Sequence, residues 1–167
     1  VSSLEDYKSI LNSYDSHSNG VTFCAGSLAS NIKNDVYEIL DDDGIWVLQL
    51  SYTPLMLQQL AFDNICHEHI CYYSLSSIKY LMERSGFDIV DCKLNDVNGG
   101  SFRIYMMKKT GDKTKFRNQQ QRDVGLFRVN SLLEYEKSLK LNEPETYTRF
   151  YDEICKLRND TVSFIKN

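Results

Sequence analysis

Two of the three histidines in this 167-residue chain stand together in the segment Cys66-His67-Glu68-His69. Histidine titrates near neutral pH, and an adjacent carboxylate can orient its ring or stabilise its protonated form. A general base that takes a proton from carbon needs both properties, so His67 or His69 could serve as that base, with Glu68 beside it. The alternative is that these are polar loop residues, and their spacing alone does not decide between the two interpretations.

The same segment raises the question of a zinc site, because thiols and imidazoles lie close together in it. Its His-x-His and Cys-x4-Cys spacings are not those of a standard structural zinc site. The cysteines are odd in number and form no Cys-x-x-Cys pair: Cys24, Cys66, Cys71, Cys92 and Cys155. The sequence therefore predicts reduced thiols, no disulfide framework and no metal site.

A second cluster of polar donors follows at Asn98-Gly99-Gly100-Ser101-Phe102-Arg103. Paired glycines let a ligand approach the backbone closely, and Ser101 and Arg103 offer directional donors to a phosphate or carboxylate. The alternative is an ordinary Gly-Gly turn that starts a strand, with Arg103 solvated because it alternates with Phe102. Tyr72 is a further candidate for a pocket wall, although aromatic packing is the more frequent fate of such a residue.

Composition excludes several classes of partner. With 19 basic and 23 acidic side chains the formal net charge is −4, which argues against a nucleic-acid binder that relies on phosphate neutralisation. No apolar run approaches the length of about 20 residues that a membrane span needs, and no signal-peptide pattern is present. We therefore expect a cytoplasmic protein with one domain, or one domain and a helical extension, and neither nucleic acid nor membrane as partner.

Hydrophobic patterns indicate a mixed α/β fold. The nearly continuous apolar segment 45–50 is typical of a central strand in a parallel sheet that is covered on both faces. Apolar residues recur on one face of 74–85, and Gly86 follows, which predicts a helix and its end. Alternation predicts strands over 87–94 and 101–107.

The remaining segments predict helices and a linker. A capped helix is expected from Ser3, a brief strand over 21–25 and a short helix over 34–40. The segment 108–123 is polar and poor in residues to bury, so it is interpreted as a linker, and an antiparallel helical pair is expected after it. The predicted organisation has three parts: an α/β part over 1–108, a polar linker over 109–125 and a helical extension over 126–167.

Three segments, in this order along the chain, resemble the S-adenosylmethionine-dependent sugar C-methyltransferases: Phe62–Leu75, Gly86–Asp91 and Asn98–Arg103. That family carries a His-Glu-His loop ahead of a helix, then a strand, then a Gly-Gly-Ser-x-Arg entry into the next strand. The resemblance implies an α/β fold with a partial Rossmann-like methyltransferase sheet, followed by a helical extension. The part over 1–108 would then be the C-terminal half of the methyltransferase-like domain.

The resemblance also implies a reaction and a role for each candidate residue. Methyl transfer from S-adenosylmethionine would reach a carbon next to the ketone of a nucleotide-linked keto-deoxysugar, after a base removes the acidic proton there. His69 would be the base, Glu68 would orient it, and His67 would be a neighbouring polar contact. The residues expected to face the substrate are Asn98, Ser101, Arg103 and Tyr72.

Two departures from the family pattern leave the cofactor site unassigned. Cys66 stands where family members usually have tyrosine, and no glycine-rich acidic loop after a first strand is found before Val21. The chain thus resembles the middle of such an enzyme, and a partner chain or self-association is expected to complete its sheet. The alternative hypothesis is a catalytically inactive, methyltransferase-derived binding or structural subunit, which both departures favour.

Overall fold

The structure is a computed structural model, and it describes residues 9, 13, 37, 40–67, 69, 71–97 and 100–166. The architecture is mixed α/β, with a small three-stranded sheet and several helices. The elements predicted near Ser3, over 21–25 and over 34–40 lie almost entirely outside the described residues.

The elements are defined here in chain order. They are β1 (Trp46–Ser51), α1 (Thr53–Gln58), a 3-10 turn (Phe62–Asn64), α2 (Leu75–Arg84), β2 (Phe87–Asn95), β3 (Ser101–Lys108), a 3-10 turn (Lys113–Lys115), α3 (Gln119–Ser138) and α4 (Pro144–Lys166). The helix predicted over 74–85 and the strands predicted over 87–94 and 101–107 are thereby confirmed.

The sheet has the order β1-β3-β2, and β3 runs antiparallel to both neighbours. The pairing of β1 with β3 extends from Trp46 opposite Met106 to Ser51 opposite Ser101. Within the described residues, the expectation of a parallel strand covered on both faces is therefore wrong for β1. This register turns Val47 to the face opposite the core, where 48% of it is exposed.

The core forms where α2 lies against the other face of the sheet. Phe102, Ile104 and Met106 alternate along β3 and are fully buried, as are Leu75 and Ile78 of α2 to within 2%. Each side chain of this size contributes about 1.5–3 kcal/mol when it leaves water. This contact fixes α2, and with it the position of the loop that precedes α2.

Both ends of α2 are set by local sequence. Ser74 and Ser77 form a capping box in which each side chain bonds the other residue's backbone N–H. Gly86, just after the helix, has φ of +85°, a left-handed conformation in which a side chain is strained. The sequence from Ser74 to Gly86 therefore sets where this helix begins and ends, and packing of its apolar face stabilises it.

The helix α3 begins inside the segment that was predicted to be a linker over 109–125. Asn118 and Gln121 form a capping box at its start, and glutamine and arginine are good helix formers. Its buried side is narrow, since only Gly125, Val129 and Glu136 are buried, and so the pattern lacks a broad apolar stripe. The polar composition is that of a surface helix, and not that of an irregular linker.

A buried carboxylate ties α3 to β2. Asp91 is fully buried, and it accepts hydrogen bonds from Arg117 at 2.5 Å and from Arg128 at 2.8 and 2.7 Å. The two bonds from Arg128 form the bidentate geometry that suits a guanidinium and a carboxylate. Gly125 makes this approach close, because a Cβ atom there would lie 2.6 Å from the Val90 carbonyl oxygen.

The helix α4 begins at Pro144 and buries none of its residues. The packed antiparallel pair expected for the last two helices is therefore not formed. In the described part of the chain, no helix is both long enough and apolar enough to cross a membrane.

Candidate functional site

The histidine-bearing segment lies between α1 and α2, within a loop over 53–72 that contains α1 and whose two ends meet. Tyr52 forms a parallel bridge with Tyr73, and the backbone N–H of Thr53 donates to the Tyr73 carbonyl at 3.0 Å. The intervening chain therefore leaves the end of β1 and returns to the same place before α2 begins. A loop closed in this way holds its side chains near the end of the sheet.

His69 is oriented by a backbone contact within that loop. Its Nδ1 lies 2.8 Å from the carbonyl oxygen of Asn64. A carbonyl oxygen only accepts hydrogen bonds, so Nδ1 carries a proton in this contact, and in the neutral ring Nε2 is then the nitrogen that holds the lone pair. His69 is exposed, so a proton donor can reach that nitrogen.

Tyr72 joins His69 at the same backbone atom. The Tyr72 hydroxyl donates to the Asn64 carbonyl oxygen at 3.2 Å. The structure thus brings together two of the residues that the sequence singles out, through a third residue whose side chain is not involved. The sequence did not predict this contact, because every residue has a backbone carbonyl and the residue type does not indicate which carbonyl accepts a side-chain hydrogen bond.

The remaining members of the first cluster are less defined. His67 is exposed, and Glu68 lies outside the described residues. Among the residues that the structure describes, no group of three or more His, Cys, Asp or Glu side chains is placed to hold a metal ion.

The second cluster has its own partners at the start of β3. Ser101 is buried, and its hydroxyl donates to the Val97 carbonyl at 2.7 Å. Arg103 is exposed on the sheet face opposite Phe102, and its Nε and Nη2 donate to Gln49 Oε1 at 3.1 and 2.8 Å. Asn98 lies outside the described residues. The hydrogen bonds of Ser101 and Arg103 thus lead to residues other than those that hold His69.

Glu136 holds both ends of the loop, and no sequence pattern singles it out. This carboxylate is 3% exposed on α3 and accepts from the Tyr52 hydroxyl at 2.8 Å and from the backbone N–H groups of Leu75 and Ser76 at 2.5 and 2.8 Å. Tyr52 precedes the loop and Leu75 follows it. Burial, and then the charge of Glu136, raise the pKa of Tyr52, which keeps its hydroxyl a donor.

The reactivities of two cysteines test whether Cys92 is buried and Cys66 is exposed in the loop. Burial, followed by the nearby charge of Asp91, raises the pKa of Cys92 to about 12, whereas Cys66 is exposed in the loop. Because the thiolate is the reactive form, we expect iodoacetamide at mildly alkaline pH to modify Cys66 well before Cys92. Peptide mass spectrometry over time measures both rates, and equal rates in the folded chain would contradict the burial of Cys92. Urea should remove the difference.

Comparison with known proteins gives three matches. Residues 96–167 match the family model of the C-methyltransferase C-terminal domain. The C-methyltransferase NovU of Streptomyces niveus is 35% identical over 81 residues, which are 48% of this chain and 19% of NovU. A mannonate dehydratase of Streptococcus uberis is 51% identical over 39 residues, which are 23% of this chain and 11% of that protein. The chain thus spans about a fifth of the length of NovU and about a tenth of that of the dehydratase.

Proposed function

Because the resemblance to C-methyltransferases is confirmed over part of the chain, we propose that the chain supplies the proton-abstracting part of an S-adenosylmethionine-dependent C-methyltransferase. The proposed substrate is a keto-deoxysugar linked to a nucleotide. The observation that carries the proposal is the contact between His69 Nδ1 and the Asn64 carbonyl, which leaves Nε2 as a base. The family model and NovU point to the same class of reaction, and the stretch similar to a dehydratase adds nothing to it.

In the proposed reaction, Nε2 of His69 takes the proton from the carbon next to the ketone. The electron pair of the C–H bond moves into an enolate, and the proton remains on the imidazole. Glu68, its neighbour in sequence, would stabilise the imidazolium that forms. His67 would be a polar contact, and the substrate would meet Tyr72, Asn98, Ser101 and Arg103.

The described residues do not fit the methyl donor. β1 is followed directly by Tyr52, Thr53 and Pro54, with no glycine-rich turn at its end. S-adenosylmethionine, held by other residues or by another chain, would supply the methyl group that the enolate accepts. The contribution that we derive for this chain is therefore the proton transfer.

The same proposal extends to the sheet. β1 and β2 run parallel to each other with β3 antiparallel between them, which suits the edge of a larger, mostly parallel Rossmann-like sheet. Val47 of β1 and Ile45, just before that strand, are 48% and 36% exposed, an apolar surface that a partner would cover. A partner chain or a second copy is the proposed source.

A second candidate is an inactive, methyltransferase-derived binding or structural subunit. It is favoured by Cys66, which stands where the family usually has tyrosine, and by the sequence before Val21, which holds no glycine-rich acidic loop. This candidate predicts that the chain binds a partner and catalyses no step alone.

Proton exchange separates the two candidates. The whole chain is incubated in D2O with a keto-deoxysugar nucleotide and no methyl donor, and NMR follows the hydrogen next to the ketone. We expect exchange faster than in buffer alone, because proton abstraction needs only the base. Exchange at the buffer rate in a folded chain would reject the catalytic proposal and favour the inactive subunit. Calorimetric titration of S-adenosylmethionine into the same sample is expected to show no binding.

A further inference from the structure

The last helix, α4, has no buried residue although it is 23 residues long. At about 1.5 Å per residue it extends for about 35 Å, and large apolar side chains lie open along it. Tyr147, Leu157 and Phe164 are 44%, 43% and 83% exposed. A helix gains most of its stability when its apolar face packs against another surface, and an extended exposed apolar patch marks an interaction site. The apolar side of α4 therefore indicates a partner.

The spacing of these side chains is that of a coiled coil. Six positions of α4 follow one another at alternating steps of three and four residues: Tyr147, Phe150, Ile154, Leu157, Thr161 and Phe164. Such steps average 3.5 residues, which is the heptad repeat whose first and fourth positions, a and d, form the seam between two helices. The a positions are Tyr147, Ile154 and Thr161, and the d positions are Phe150, Leu157 and Phe164.

The residue types at the seam are those of a parallel pair of helices. A β-branched residue at a with leucine at d favours two parallel strands, and the central heptad has Ile154 and Leu157 at these positions. Thr161, at the next a position, is β-branched as well. Its hydroxyl donates to the Leu157 carbonyl at 2.8 Å, so Thr161 brings no unpaired polar group into the seam.

Charged residues beside the seam complement each other between two copies. Glu153 lies at position g and Arg158 at position e of the following heptad, and both are exposed. In a parallel pair, g of one helix faces e of the next heptad on the other helix, so this contact would form twice by symmetry. Residues five apart on one helix do not face each other. In the part of the chain that the structure describes, neither residue forms an ion pair.

The same charges disfavour an antiparallel pair. In that arrangement the g positions of one helix lie beside the g positions of the other helix. The charged g positions of α4 are Glu153 and Asp160, which are both acidic, so an antiparallel pair would bring like charges together. Like charges across a coiled coil act against the wrong arrangement, and opposite charges select the right one. Attraction and repulsion therefore both favour the parallel direction.

We infer that α4 pairs with α4 of a second copy of this chain in a parallel, two-stranded coiled coil. The six a and d positions would form its seam, and Glu153 of each copy would face Arg158 of the other copy. Parallel pairing places the α/β parts of both copies at the same end of the coiled coil. This surface is separate from the exposed face of β1, and the inference does not rest on the proposed function.

Sedimentation equilibrium of the whole chain over a wide range of concentration tests the inference. The unsubstituted chain is expected to pass from monomer to dimer as its concentration rises. Leu157→Ala removes a side chain from each half of the seam and keeps a good helix former, so it should raise the dissociation constant at least about hundredfold. Lys156→Ala is the matched control, because Lys156 is exposed at position c outside the seam, and it should change the constant by about twofold or less.

The fluorescence of Trp46 in β1 checks that each variant keeps its folded sheet. A folded chain that stays monomeric at every concentration would overturn the inference. Equal dissociation constants for Leu157→Ala and Lys156→Ala would also overturn it, because the copies would then associate through another surface, such as the exposed face of β1.

Reversal of the two charges tests the direction of the pair. Glu153→Arg would place arginines opposite each other and Arg158→Glu would place glutamates opposite each other, so each should raise the dissociation constant about five- to thirtyfold. The double variant restores opposite charges in a parallel pair, and its constant should return to within about threefold of the unsubstituted value. Asp152→Arg is the matched control, because it makes the same change of charge at the outward position f and has the same helix neighbours, Arg149 and Lys156.

Two results of the charge reversal would contradict a parallel pair. A double variant that dimerises as weakly as the single variants would overturn the inference, as would equal effects of Asp152→Arg and Glu153→Arg. An equimolar mixture of Glu153→Arg and Arg158→Glu is expected to form a mixed dimer more tightly than either variant dimerises alone. In the mixed dimer each arginine beside the seam faces a glutamate of the other chain.

Discussion

The Glu136→Ala variant is expected to lose about 2–6 kcal/mol of its free energy of unfolding, because two buried donors would lose their acceptor at a cost of about 1–3 kcal/mol each. Three donors meet this carboxylate: the Tyr52 hydroxyl and the backbone N–H groups of Leu75 and Ser76. Tyr52 and Leu75 are fully buried, so water cannot replace the lost acceptor without opening the core. The variant also loses the negative charge that stabilises the N-terminus of α2.

Urea unfolding followed by the fluorescence of Trp46 measures the effect. Glu134→Ala is the matched control on the same helix, because Glu134 is exposed and its ion pair in the described part of the chain is with Lys137, and it should change stability by about 0.5 kcal/mol or less. Glu136→Gln should fall between, since its amide oxygen can still accept from two donors while its NH2 group faces the third. Equal midpoints for the two alanine variants would show that Glu136 does not hold the loop.

The parts of the fold that follow from the sequence are those determined by neighbours along the chain. The helix α2 has its cap at Ser74, an apolar face and a stop at Gly86 within a dozen positions, so its periodicity is sufficient to predict it. The alternation of Phe102, Ile104 and Met106 likewise predicts β3 and its buried face. In these elements local preference and burial agree.

The parts that the sequence did not predict depend on distant partners. The direction of β1 is set by its pairing with β3, 50 to 60 positions away, and the residue types of an apolar segment do not indicate that direction. The start of α3 lies in a polar segment whose capping box at Asn118 is local, but the packing of the helix on the sheet depends on Arg128, which reaches Asp91, and on Val129, which enters the core. A prediction from composition assigns such a helix to a linker, because only a few of its residues are buried.

The candidate site shows the same division. Residue types and the family resemblance point to His69 and Tyr72, and the structure places both on one carbonyl oxygen. The sequence could not supply the tautomer of His69, because that follows from the geometry of the Asn64 backbone. Nor could it supply Glu136, whose partners lie 60 to 84 positions away.

His69→Ala is expected to lower the rate of proton exchange next to the ketone by about 10²–10⁴-fold, the usual contribution of a positioned general base. The loss should appear in the rate constant, with little change in substrate affinity, because the imidazole acts on the proton and does not hold the sugar. The same hydrogen followed by NMR in D2O gives both quantities when the substrate concentration is varied. Added imidazole should restore part of the rate, since it can enter the space left by the side chain.

Two further variants make that result specific to the arrangement at Asn64. His67→Ala removes the other histidine of the loop and should cost far less than His69→Ala. Tyr72→Phe removes one of the two donors to the Asn64 carbonyl and leaves His69 as the sole side-chain donor there, so its effect on the rate constant should also be small. If His67→Ala were the more damaging change, the base would be His67, and the contact between His69 and Asn64 would serve only to hold the loop. If neither histidine mattered in a chain that exchanges protons, the base would lie outside this loop altogether.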